Sequence, residues 1–245
     1  MSGGVGPTYN DISLPQEQEE HESKVQTSSK NKTDQGPKKR AAFLSFRQLN
    51  CLAIIIILSG TGLVCPQDMA FVLFSIVYMY FLSVVAFPKL TSPEPPVFNL
   101  NKGLLSLYVF VGAIIGLFLP IVYVFEGIFK GDKEGIKAAV PHLFLLASQV
   151  FMEGIAFSDR FSTPIRVFIP VCYNSMRIFA LVEWLTNEFS KENEEFGGSP
   201  TRLYVGRALA IANMAFWCFN LFGFLLPVYL PRAFKRYYSD QKVKH

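Results

Sequence analysis

The chain has 245 residues, 51% hydrophobic and 15% aromatic, and its mean hydropathy is +0.30 despite a strongly polar start, which excludes an ordinary soluble domain. A net charge of +4 does not point to nucleic acid, because the basic residues collect beside apolar runs instead of along one soluble surface. Apolar runs of about 20 residues recur, the length that crosses a hydrocarbon layer of about 30 Å, so the expected class is an all-α, polytopic membrane helix bundle of about six spans.

Residues 1–40 are rich in Ser, Gln, Glu and Lys and have no apolar clusters, so they are expected to form a disordered cytoplasmic tail. Glu17, Glu19, Glu20 and Glu22 argue against a transit peptide, and no signal peptide is expected because the first apolar run starts near Phe43. Lys38, Lys39, Arg40 and Arg47 form a positive collar, read as a topology signal that can also rest on anionic lipid. The six-span bundle is expected over 41–231, with its first two spans at 49–64 and 69–87, separated by Pro66 and by Asp68 placed to cap the second. Pro93, Pro95 and Pro96 then make an extended linker.

The third span, 104–125, carries Gly112 and Gly116 four apart, a spacing for close helix contact within the chain, and Pro120, which should kink it. Glu126 to Lys137 reads as a solvated turn. Spans four and five, 138–157 and 161–185, form a hairpin about a short link at Ser158 to Phe161. An acidic loop follows, then a sixth span at 203–230 and a basic cytoplasmic tail at 232–245. With both ends cytoplasmic, 15 of the loop and tail Lys and Arg residues lie on that side against 5 on the other. The fifth span is the weakest by composition, and the sequon at Asn31 should stay unmodified.

Intramembrane polar residues mark the candidate site. Offsets of 7 and 11 residues return to within roughly twenty degrees on a helix, so His142, Gln149 and Glu153 share one stripe and Arg166, Tyr173 and Arg177 another. Pairing about the link sets Glu153 level with Arg166 and His142 level with Arg177, with Asn174 on span five and Asn213 brought in from span six. Charge at the centre of a span costs about 2.5–3.5 kcal/mol on insertion scales and marks either interhelical bonding or a hydrated pocket. The plainer reading is that these groups hold the bundle together. The sharper one is a pocket in which His142 and Glu153 exchange protons and Arg177 holds an anion.

Enzymatic chemistry is not expected. Two of the three histidines, His21 and His245, lie in the tails, leaving His142 alone, and no GxSxG or HExxH occurs. Cys51, Cys65, Cys172 and Cys218 lack metal-ligand spacing, so no metal and no cofactor is expected. The expected partners are the lipid bilayer and other membrane proteins.

Three stretches carry a resemblance: Phe46-Arg47-Gln48-Leu49-Asn50, Gly127 through Gly131-Asp132-Lys133-Glu134-Gly135 to Ala139, and His142 through Gln149 to Gly154. Together with Met1-Ser2-Gly3-Gly4-Val5-Gly6-Pro7 they resemble an uncharacterised family of plant multi-pass membrane proteins, a domain of unknown function. The resemblance implies a plant source and a membrane setting and brings no catalytic or binding residues. The expected function is a non-enzymatic membrane scaffold, assembly or trafficking component. The alternative is a small-solute or proton-coupled transporter using the polar residues of spans four to six.

Overall fold

The computed structural model describes residues 46–89, 102–156, 161–191 and 200–242. Outside them lie the expected disordered head with Asn31, the linker prolines Pro93, Pro95 and Pro96, most of the hairpin link, and the acidic residues Glu192, Glu194 and Glu195. Among the described residues the regular structure is entirely helical: α1 (Phe46–Gly60), α2 (Pro66–Val85), α3, α4 (Lys133–Ala156), α5 (Thr163–Ser190) and α6. Helix α3 is continuous through Lys102–Ala113, a π-helical stretch Ile114–Phe118 and Leu119–Lys130. Helix α6 is continuous through Pro200–Cys218, a longer π stretch Phe219–Tyr229 and Leu230–Lys242.

Local chemistry sets the boundaries. Gly62 takes a positive φ of 70° after α1, and Pro66 opens α2, where its missing N–H costs nothing. Asp68 sits in the first turn of α2 beside the helix dipole; the N-cap is Cys65, which makes no side-chain cap. Gly131, at φ 72°, closes α3 in the left-handed conformation with its N–H on the Gly127 carbonyl. Asp132 then opens α4 by accepting the Gly135 N–H at 2.9 Å.

Helix α4 is the central pillar, with every residue from 139 to 149 buried. It packs against α5 most extensively and also against α1 and α3, while α5 packs on α6. The outer faces are apolar: Phe74, Val77, Tyr80 and Phe81 on α2 and Val109, Phe110, Val122 and Phe125 on α3 are each more than half exposed. His142, Asn174, Arg177, Glu188 and Asn213 are 0% exposed. Apolar groups outside and ionisable groups inside invert the soluble pattern and suit a bundle immersed in hydrocarbon.

Helices α2 to α6 are each long and apolar enough to cross a membrane. Composition made α5 the weakest span, yet it runs 28 residues. The short helix is α1, at 15 residues and about 22 Å, because glycines end it. It lies antiparallel on α4: the Gln48 side chain packs on Gly154, and Ile55, Leu58, Leu63 and Val64 cluster with Ile136, Val140 and Phe144.

The hairpin register differs from the one set by the link's midpoint. Met152 and Ala156 of α4 cluster with Ile169 and Tyr173 of α5, so the first turns of α5 extend past the end of α4. They are held there by Ser162, whose Oγ donates to the Phe87 carbonyl at 2.7 Å. Relative to the midpoint pairing, α5 is displaced by about two turns.

Candidate functional site

The mid-bundle polar residues serve two purposes, and the first is to satisfy backbone freed at the π-helical stretch before Pro120. Pro120 has no N–H to give the carbonyl four residues back, Gly116. The Leu119 N–H bonds to Ile114 in π geometry, which releases the Ile115 carbonyl as well. Both freed oxygens find side chains on other helices. His142 Nε2 donates to Gly116 O at 2.8 Å, and Asn213 Nδ2 donates to Ile115 O at 3.0 Å. The first bond fixes the histidine tautomer with its proton on Nε2; Nδ1 is buried without a hydrogen bond among the described residues. Asn213 also accepts from Trp217 Nε1 at 3.3 Å.

Gly112 and Gly116 make this seam possible. A Cβ at Gly116 would stand 2.7 Å from the Trp217 ring and one at Gly112 3.0 Å from Phe216, so the expected small-residue contact is made inside the chain, between α3 and α6.

The second purpose is to shelter a cation. Arg177 lies 4.1 Å above the centroid of Trp217 and donates through Nη2 to Gln149 Oε1, and Gln149 Nε2 donates to Glu153 Oε1 at 2.7 Å. The neutral amide thus relays between guanidinium and carboxylate, which do not bond directly. Asn174 Nδ2 donates to the Trp217 carbonyl at 3.3 Å. Of the seven sequence candidates, the structure joins Gln149, Glu153 and Arg177 in one chain, ties His142 and Asn213 to α3, and sets Asn174 beside them. Arg166 stands apart. The displaced register carries it beyond α4, so the expected pair with Glu153 is not made, and Arg166 has no ion-pair partner among the described residues. His142 and Arg177, expected at one level, both lie against Trp217, with ring centroids 6.3 Å apart for His142 and the guanidinium 4.1 Å from the ring centroid for Arg177, while the Arg177 hydrogen bond goes to Gln149.

A second polar cluster, at the other end of the bundle, was not legible in the sequence. Arg202, 1% exposed, bonds Asp132 at 2.8 Å and Glu126 at 3.3 Å and lies 4.2 Å over the Tyr123 ring. Tyr123 donates to buried Glu188 at 2.6 Å, and Lys191 reaches Glu188 at 2.9 Å and Asp132 at 3.7 Å. Arg207 closes the end of α5 through the carbonyls of Glu188 and Lys191 at 3.0 and 2.8 Å. The turn read as solvated is therefore partly internal: its aspartate is enclosed by cations arriving from two other helix ends. Three glycines clear the space. A Cβ at Gly127 would meet Arg202 at 2.5 Å and one at Gly206 would meet Glu188 at 2.5 Å, and one at Gly135 would collide with Asp132. Burial alone would raise the Asp132 carboxyl, but the Gly135 N–H, Arg202 and Lys191 outweigh it and hold it below the usual range. With cations set between its carboxylates the cluster is a clamp, and no group of metal-ligating side chains occurs among the described residues.

Gln149 and Glu153 also line a cavity of about 630 Å³ between α1, α3, α4 and α6, whose remaining walls are mostly apolar and aromatic. His142 and Arg177 do not line it.

A family model described as a domain of unknown function (DUF7733) matches residues 44–238. No curated protein and no solved structure matches the chain.

Proposed function

We propose, from the premise that this chain belongs to the DUF7733 family of unknown function, that it is a non-enzymatic integral membrane protein of six crossings with both tails cytoplasmic, acting as a scaffold or assembly component. The observation that carries this reading is the use of His142 and Asn213 as caps for the carbonyls released at the π-helical stretch and Pro120. A histidine already bonded to backbone and 0% exposed is unsuited to exchange protons with solvent. Broad apolar faces on α2 and α3 offer surfaces for other membrane helices.

The sixth crossing rests on α1. Although short, it follows α4 from Gly154 back to Ile136, and α4 has the length to span. Flanking residues and local thinning of the bilayer accommodate such a deficit at a modest cost. The excess of Lys and Arg in the tails and in the α2–α3 linker supports placing both ends in the cytoplasm. Glycosylation mapping tests this: Asn31 stays unmodified in microsomes while an acceptor site inserted after Lys133 is modified. A glycan on Asn31 overturns the orientation.

The transporter reading keeps one supporting observation, the Arg177–Gln149–Glu153 chain reaching a cavity wall. Proteoliposomes carrying an internal pH dye separate the two. The scaffold reading expects no protein-dependent proton flux and no change on Glu153→Gln. A flux that this substitution abolishes, with the fold intact, establishes transport instead.

A further inference from the structure

The cavity bordered by Gln149 and Glu153 is one half of a longer trough. A second cavity of about 570 Å³ continues it between α1, α3 and α4, and the two share Ile54 and Leu117. From Leu105 to Leu117 along α3 the first cavity is about 18 Å deep at helical rise, close to half of a hydrocarbon core of about 30 Å. Its depth therefore matches one leaflet, with the shared residues near the middle of the membrane and the Glu153 end near one surface.

The polar groups at that end are specific in kind. Glu153 is the one charged side chain on the cavity wall among the described residues. Asn220, 8% exposed, accepts from the Tyr108 hydroxyl at 2.6 Å, and its amide N–H groups make no hydrogen bond among the described residues. Beside the polar side chains of Asn50, Tyr108, Gln149 and Tyr229, the wall thus presents a carboxylate, which accepts, and an amide with donors to spare. A phosphate or fatty-acid head there would face the Glu153 carboxylate and be repelled. An ammonium head carries no acceptor for Asn220. A hydroxyl can donate to the carboxylate and accept from the amide at once. Apolar walls with a few convergent polar groups, in a volume between 300 and 1,000 Å³, are the usual form of a small-molecule site.

We propose that this cavity binds an uncharged lipid with a free hydroxyl, its apolar body lying between α1 and α3 and its hydroxyl between Glu153 and Asn220. The proposal rests on the reading that the bundle sits in a bilayer. It does not depend on scaffold or transport, and topology mapping tests that reading independently.

The test uses the full chain in nanodiscs with two photoreactive probes, a diazirine-bearing hexadecanol and the corresponding palmitic acid. The alcohol is expected to label peptides from 105–117 and 216–229 saturably, at least five-fold above the acid. Ala113→Phe, which fills this cavity, lowers that labelling at least five-fold, and Ile121→Phe, in the neighbouring one, leaves it unchanged. Glu153→Gln, which removes the charge that repels the acid, brings the alcohol-to-acid ratio close to one, and this nearly isosteric variant carries the test should Ala113→Phe fail to fold. Equal labelling by the two probes in the unaltered protein, or a ratio unmoved by Glu153→Gln, overturns the proposal and leaves a groove filled by bulk lipid.

Discussion

The mid-bundle network and the cluster at the end of the bundle solve the same problem by opposite means. Around Arg202, cations and carboxylates meet directly, at 2.8 Å to Asp132 and 3.3 Å to Glu126. Around Arg177 the nearest partner is a neutral amide, and the aromatic face of Trp217 takes part of the charge. In the first region three chain ends converge, each able to bring charge without placing it at the centre of a span. In the second a bare carboxylate beside Arg177 would itself have to be buried at depth. What the difference teaches is that one chain satisfies its buried cations by ion pairing where segments end and by dipoles where they cross.

The largest expected effect breaks the end cluster. Arg202→Leu takes the nearest cation from Asp132 and one of the two from Glu126 and should lower unfolding stability by about 3–5 kcal/mol, read as the melting transition in detergent. A loss under 1 kcal/mol would make the cluster incidental.

Acid should probe the same region more gently. With a folded pKa below the unfolded value of about 3.9, Asp132 contributes stability that is complete above that value and disappears as pH falls through the lowered folded pKa. The melting temperature of the unaltered protein should therefore fall more steeply below about pH 4 than that of Asp132→Asn. Parallel curves would contradict the assignment.

Arg166 sharpens the contrast from the other side. Lying past α4 and without an ion pair among the described residues, it should tolerate Arg166→Gln within about 0.5 kcal/mol. A loss as large as that of Arg202→Leu would mean that the midpoint register, with its pair to Glu153, holds after all.

The regions also differ in how legible they were. The disturbance of α3 at Pro120, the glycine seam and the two polar stripes could be read because each belongs to one helix, where period and residue type suffice. The hairpin register could not, since the start of α5 is anchored to α2 through Ser162 and Phe87, a contact between residues 75 positions apart. The end cluster was hidden for a related reason: Gly127, Gly135 and Gly206 gain their meaning only when Arg202, Asp132 and Glu188 arrive from separate segments. The shortness of α1 was visible, but its path along α4 was not.

The central claim is that His142 and Asn213 serve the α3 backbone freed at the π-helical stretch before Pro120. A double-mutant cycle between Pro120→Ala and His142→Ala tests it most directly, because an alanine at 120 can supply the N–H that Gly116 lacks. His142→Ala alone should cost about 1–3 kcal/mol through the orphaned carbonyl, and the same change in the Pro120→Ala background should cost at least 1 kcal/mol less. Strictly additive losses would contradict the claim, since the histidine would then hold the bundle for some reason other than the carbonyl freed by Pro120.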